Sequence, residues 1–404
     1  MLARVKSCPT LAAAAQPDIA VRWPGHELWS LDPGILHCNH GSFGAVPRPV
    51  RAIQHALHAE LDADPSKFFR RTLDDRLNAA RAVVAAYLGA DLDGFAFVRN
   101  ATEGASVVLA SFPLGPGDEV ILTDHAYGAV RNAVEASCAA RHATLIPVAL
   151  PLDDNAAIAA VVATLGPRSK LLVIDQVASL FGRVLPIAAI CAAARQAGVA
   201  VLIDGAHVPG MLPVVVDELG CDFWVGNFHK WLCSPPGSGA LWVAPQWREV
   251  VRPLVVSHRW MEPYPGSMLR FGTDDVSAHL CVPSAIECLK HLDPNGELVQ
   301  RNHRLTVHAR TVLASVLALD PVECGYAWMA AVWLPDGFVC DESDAYELHR
   351  RIGSDAHAEV SINVIAGRGA LRVSAFLYNC ADDYEILATR LGPIISRSPT
   401  SPST

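Results

Sequence analysis

The feature that most constrains this chain is an alternation between about residues 75 and 245. Short apolar runs give way to alanine-rich stretches, then apolar runs return: "GFAFV" before "TEGASVVLASF", "DEVILT" before "AVRNAVEASCAARH", "KLLVID" before "IAAICAAARQAG", then "VAVLID" and "DFWVG". Runs of four to six apolar residues suit strands buried on both faces, and the stretches between them suit helices that cover those faces. The expected result is an α/β fold with a mostly parallel sheet. Ligands of such sheets gather at the carboxyl ends of the strands. The polar clusters Asn100 to Glu103, Asp124 to Tyr127, Asp175 and Gln176, Asp204 to His207, and Asn227 to Lys230 each follow directly on an apolar run.

After "RFGTDD" (270–275) the pattern changes. Long helical stretches around "VPSAIECLKHL" and "RNHRLTVHARTVLASVLAL" lead to strand-like "MAAVWLP", a helix at "DAYELHRRI" and strand-like "ALRVSAFLY". This reads as a smaller C-terminal α+β domain. The expected division is an N-terminal extension (1–27), a large domain (28–290, its first stretch 28–50 packing near the small domain and the site), the small domain (291–395) and a disordered polar tail (396–404).

With 404 residues, 51% hydrophobic and 18% charged, the chain can bury a sizeable core. Its net charge of -9 comes without a Lys/Arg cluster, so a small molecule is expected as partner rather than nucleic acid. The eleven cysteines are scattered without a CxxC or a repeated spacing, which suits reduced thiols in the cytoplasm. The N-terminal apolar run is too short for a signal peptide, and no uncharged run reaches the length of a membrane span, so no membrane partner is expected.

"DGAHVPG" places Asp204 at the end of a strand, followed by Gly and Ala that are expected to let a flat ligand approach. A carboxylate there can keep a pyridinium nitrogen protonated. Lys230 comes 26 residues later, after what reads as a further helix-and-strand unit. An amine and a carboxylate so placed suggest a Schiff-base lysine and its electron-sink partner, the combination for pyridoxal 5'-phosphate. The lysine must be uncharged to attack an aldehyde, and a cationic His229 beside it is expected to lower its pKa. "FVRNATEGAS" offers an anion site, with Asn100 capping a helix, Glu103 three residues on, and the amides of Ala101 and Thr102 facing a phosphate; taken alone, the segment is better explained by a helix cap with no ligand.

The motifs "NHGSFG", "FVRNATEGAS", "DHAYGA", "DGAHVPG", "DFWVGNFHKWL", "RFGTDD" and "LRVSAFLYN", in this order over about residues 28 to 390, resemble those of class V aminotransferase-fold pyridoxal phosphate enzymes of fold type I. The resemblance is to the isopenicillin N epimerase-like branch in particular. It implies Lys230 as the cofactor lysine, Asp204 as partner of the ring nitrogen, and His125 stacked on the ring. It also implies Thr102, His207, Asn227 and His229 around the cofactor, and Gln176 near its phenolic oxygen. Thr273 would reach the phosphate from a second subunit, which implies a homodimer with shared sites. Arg372 would bind the substrate carboxylate, its planar fork matching that group. Asn39, His40 and Ser42 would line the substrate side, although a turn accounts for them as well.

Phe181 stands where relatives carry a small hydroxyl residue, and Arg183 nearby is also unusual, so both are expected to reshape the substrate pocket. "NVIAGRGALR" has no nucleophilic cysteine before Arg372, and Cys340 lies 32 residues upstream of it, which disfavours persulfide chemistry. The expected function is Cα-proton abstraction from an amino acid or its conjugate. C–S lysis is the first reading because it needs one base; epimerisation, then transamination, are the alternatives, and a non-enzymatic pyridoxal-binding relic is the last.

Overall fold

The computed structural model describes residues 18–322 and 327–396. Part of the expected extension (1–17) and most of the expected tail (397–404) lie outside the described residues. The strands, in chain order, are β1 (Leu36–His37), β2 (Phe95–Val98), β3 (Glu119–Thr123), β4 (Thr144–Val148), β5 (Ser169–Asp175) and β6 (Ala200–Gly205), followed by β7 (Phe223–Asn227), β8 (Gly239–Val243), β9 (Met329–Trp333), β10 (Ala358–Glu359), β11 (Ser361–Ile365) and β12 (Arg368–Ser374).

Seven of them form one sheet in the order β2-β8-β7-β6-β5-β3-β4. β4, β3, β5, β6 and β7 run parallel, and β8 is antiparallel to both of its neighbours. The mixed α/β architecture with a large, mostly parallel sheet flanked by helices is therefore present. Helices Ala101–Ser111, Gly128–Arg141, Asp154–Thr164 and Ile187–Gln196 make the crossovers up to β6. Between β6 and β7, where the sequence suggested a further helix, the described chain has only a short 3-10 turn at Val216–Glu218.

Two strands of this sheet escaped the apolar-run criterion, each for a physical reason. β4 ("TLIPV") is an edge strand, half exposed and able to hold Pro147. β8 ("GALWV") follows β7 after the proline- and glycine-rich lysine loop and returns antiparallel, outside the βαβ rhythm.

Period-2 alternation divides the sheet's side chains between two cores. Leu172, Ile174, Val201 and Ile203 face one side, while Leu171, Val173 and Leu202 face the other with helices Ala101–Ser111 and Gly128–Arg141. Each such fully buried aliphatic side chain stabilises the fold by about 1.5–3 kcal/mol. That alternation also decides where the strand-end polar residues point.

The C-terminal residues build a three-stranded antiparallel sheet, β11-β12-β9, backed by the Leu298–Leu317 and Ala381–Ile395 helices. β1 pairs in parallel with β10, tying residues 36–37 to 358–359. The "NHGSFG" segment thereby enters the site from the side of the small sheet. Gly44 has φ +69°, and a Cβ on it would lie 1.9 Å from the His229 carbonyl oxygen, so only glycine lets this segment press against the lysine loop.

Candidate active site

Parallel strands in register carry equivalent residues to the same level, and here Asp175 of β5 is paired with Asp204 of β6. Both continue the face of Val173 and Leu202, and both line a cavity of about 170 Å³. Asp204 accepts the Ala206 amide at 2.9 Å, while Asp175 Oδ2 is buried without a hydrogen-bond partner. Burial pushes both carboxyls above the usual range, and Asp204 adds to the rise at Asp175.

Lys230 reaches this cavity from the loop after β7. Its Nζ lies 3.1 Å from His207 Nε2. Its pKa is pushed down to about 8, first by burial and then by Arg372, with Asp204 and Asp175 acting the other way. The expected cationic neighbour, His229, is not the cause. Burial and Lys230 itself push His229 down to about 4, so it stands neutral at the cavity wall with Nδ1 unpartnered.

The start of the Ala101–Ser111 helix forms the wall opposite. Asn100 Oδ1 caps the Glu103 amide at 2.9 Å, as the sequence suggested, but Glu103 turns back to the Arg99 amide rather than to that of Asn100. The Ala101 amide, expected to face an anion, donates instead to Asn227 Oδ1 at 2.8 Å. Thr102 carries the remaining free donor of the first turn, and it lines the cavity together with Ala101 and Asn227.

Arg372 of β12 is almost fully buried. It donates to Asn39 Oδ1 at 3.1 Å, to Ser42 Oγ at 2.9 Å and to the Ser179 carbonyl, leaving Nε without a partner. Burial pulls its pKa down to about 10. Asn39 and Ser42 thus hold the guanidinium in place, and Ser42 also lines the cavity.

Four expectations need correction. Gln176 sits one residue beyond Asp175 and so points to the opposite face, where its Oε1 accepts the Trp224 indole N–H at 2.9 Å. The glycine of "DGAH" leaves room on that same face for Trp224, whose ring a Cβ on Gly205 would meet at 2.5 Å; it is a packing glycine, not an opening for a ligand. His40 turns away from the substrate side: it stacks on Phe376 at 3.7 Å, donates from Nε2 to the Lys230 carbonyl oxygen at 3.1 Å and accepts the Tyr378 hydroxyl at Nδ1, 2.8 Å away. Arg183 is fully buried and donates to the Pro151 carbonyl at 2.7 Å and to Asp154 at 3.1 Å, so it adds no cation to the pocket.

Phe181 likewise does not line the cavity. It is buried and meets the His125 ring edge-on at 5.0 Å. His125 itself is buried with Nδ1 unpartnered, and burial followed by Arg183 lowers its pKa. Thr273 is exposed in a separate cleft with Ser66, Arg70 and Arg270, away from the Lys230 cavity of its own chain. Sequence reasoning placed Asp175 and Tyr127 at strand ends without giving them a role, and it missed Ser179 and Phe43 among the cavity's lining. Counting by twos along "KLLVID" puts Asp175 on the face of Val173, but only the fold shows that this face bounds the cavity.

The residues present suit an anionic aromatic aldehyde. An amine poised near neutrality faces a carboxylate pair, a helix start supplies a free donor, and buried polar atoms of Asp175, His229 and Arg372 await partners. These features fit what pyridoxal phosphate requires of its site. In agreement, the family model "Aminotransferase class-V" matches residues 67–387, and the chain belongs to that family of pyridoxal phosphate enzymes. It is 33% identical to isopenicillin N epimerase of Streptomyces clavuligerus, over 89% of this chain and 95% of that protein. It is 26% identical to L-cysteine desulfhydrase of Arabidopsis thaliana, over 97% and 94%. Among solved structures it shares its fold with C-DES, solved as a lysine-to-alanine variant with glycine covalently linked to the pyridoxal phosphate cofactor, at a TM-score of 0.78 and 19% identity, covering 89% of this chain and 97% of that one.

Proposed function

We propose that this chain is a pyridoxal phosphate-dependent C–S lyase acting on a thiol conjugate of an amino acid. The observation that carries this reading is that Lys230 is the only amine at the cavity and is held near neutrality, while no cysteine lines the cavity among the described residues. Pyridoxal phosphate supplies a carbonyl for the substrate amine and a sink for the Cα electrons. Lys230 would hold that carbonyl and, as the free amine, would take the Cα proton on Nζ. The net change, loss of the Cα proton and of the Cβ sulfur as a protonated thiol with uptake of one water, would give a thiol and, for a cysteine conjugate, pyruvate and ammonia.

Asp204 would keep the ring nitrogen protonated, and His125, backed by Phe181, would lie beside the ring. Thr102, Asn227 and His229 would hold the phosphate, and His207, 3.1 Å from Lys230 Nζ, would lie beside the cofactor. Arg372, oriented by Asn39 and Ser42, binds the substrate carboxylate. Thr273 of the partner subunit completes the phosphate site in a homodimer, which fits its distance from the site of its own chain. No described helix is long and apolar enough to cross a membrane, and the nine described cysteines are free, which suits the cytoplasm.

Relatives named for epimerase and for desulfhydrase activity both support Cα deprotonation, and epimerisation is the second reading. It requires a second acid on the opposite face, where His125 is neutral and buried. Incubation with a panel of S-conjugated cysteines and with α-aminoadipyl peptides decides between them. Pyruvate and free thiol support lysis; an inverted Cα with no thiol released replaces it by epimerisation.

A further inference from the structure

The residue after the lysine carries a donor that settles a proton. Trp231 is fully buried, and its indole nitrogen lies 3.2 Å from His207 Nδ1. An indole N–H can only donate, so Nδ1 must be the lone-pair side of the imidazole. A neutral His207 therefore carries its hydrogen on Nε2, the atom 3.1 Å from Lys230 Nζ. That N–H needs an acceptor, and the amine has a lone pair to offer only when uncharged. An ammonium at Lys230 would set N–H against N–H, and moving the imidazole proton to Nδ1 would set it against Trp231.

We propose that His207, locked in one tautomer by Trp231, is a positioning residue that favours the free amine of Lys230 over its ammonium before cofactor or substrate carbonyl arrives. The proposal rests on the lysine's role given above and adds to it how the proton is kept away. Other charged and titratable groups face the amine too. Asp175 and Asp204, at the ends of β5 and β6, favour the ammonium, whereas Arg372 from β12 opposes it; His229, the preceding residue, is itself neutral. Burial, Lys230, Arg372 and His229 all push the His207 pKa far down, so the imidazole stays uncharged and its single proton stays where Trp231 directs it.

The test uses the full-length chain stripped of cofactor with hydroxylamine. Cyanate, small enough for the cavity and reactive only with uncharged amines, labels Lys230, and peptide mass spectrometry follows the rate against pH. The wild-type midpoint is expected near pH 8. In His207→Ala it should rise by about one pH unit, so that labelling at pH 7 slows about tenfold. Trp231→Phe, which keeps an aromatic ring but removes the donor, should move it the same way, because the imidazole can then turn its lone pair to an ammonium. His207→Gln should retain the wild-type midpoint, since the amide oxygen can accept from Trp231 while its NH2 donates to Lys230.

A wild-type midpoint in either His207→Ala or Trp231→Phe, each checked for folding by circular dichroism, overturns the proposal; should one of them not fold, the other decides. In parallel, borohydride reduction of the cofactor-loaded wild type should leave a pyridoxyl mass on the Lys230 peptide. Its absence overturns the assignment of the lysine, whereas its presence with unshifted midpoints overturns the tautomer lock alone.

Discussion

Asp175 and Asp204 are in-register partners at the ends of adjacent parallel strands, both buried and both directed into the cavity that holds Lys230. Two like charges so placed resist ionising together, and burial raises both carboxyls. A carboxyl whose folded pKa is raised binds more protons in the native than in the unfolded chain. Stability of the cofactor-free protein therefore falls as pH climbs from the ordinary carboxylate range through the raised values.

Asp175→Asn removes half of that strain and leaves Asp204, the proposed partner of the ring nitrogen, in place. The cofactor-free variant should melt about 2 °C above wild type at pH 7.5, with the gain shrinking or reversing at pH 4. Scanning calorimetry at both pH values checks this, and a lower melting temperature at pH 7.5 would show that Asp175 is held by a favourable contact instead.

Asp204→Asn should still bind pyridoxal phosphate, because the lysine and the phosphate-side residues are untouched. Turnover should fall at least ~100-fold, since a neutral amide cannot hold a pyridinium proton. Cofactor stoichiometry and kcat measured on one preparation decide it; near-normal turnover contradicts the assignment.

Arg372 is buried and braced by Asn39 and Ser42. Arg372→Gln should raise KM for a carboxylate-bearing substrate by about 100-fold, the effect of losing one charge-assisted pair worth ~2.7 kcal/mol, with a smaller change in kcat. An unchanged KM would assign Arg372 to the framework alone.

Phe181→Thr empties a position that is 2% exposed and supports the His125 ring. Expected is a stability loss of about 2–5 kcal/mol and a fall in kcat/KM shared by all substrates, because the cavity wall itself is unchanged. Melting curves beside kcat/KM for several substrates test this. A changed order of preference would return Phe181 to the substrate pocket.

Much of this protein can be read along the chain. Five apolar runs mark β2, β3, β5, β6 and β7, and the polar residues at their ends locate one edge of the large sheet, with Asp204 and Lys230 on it. Those conclusions depend on local pattern, and local pattern is what a sequence displays. Asp175 against Gln176 is a finer matter: a shift of one residue reverses the face, and only the pairing register with β6 and the position of Trp224 show which side chain enters the cavity. His40 became a brace for the Lys230 carbonyl through Phe376 and Tyr378, more than 330 residues away, and Arg183 was drawn inside by Pro151 and Asp154. The sequence by itself determined the strand-and-helix order and the chemical types at the strand ends, because hydrophobic periodicity and residue chemistry are properties of the chain. Only the tertiary structure decided which of those groups face one another, because buried polar atoms take whatever partners packing brings within hydrogen-bond reach, whatever their separation along the chain.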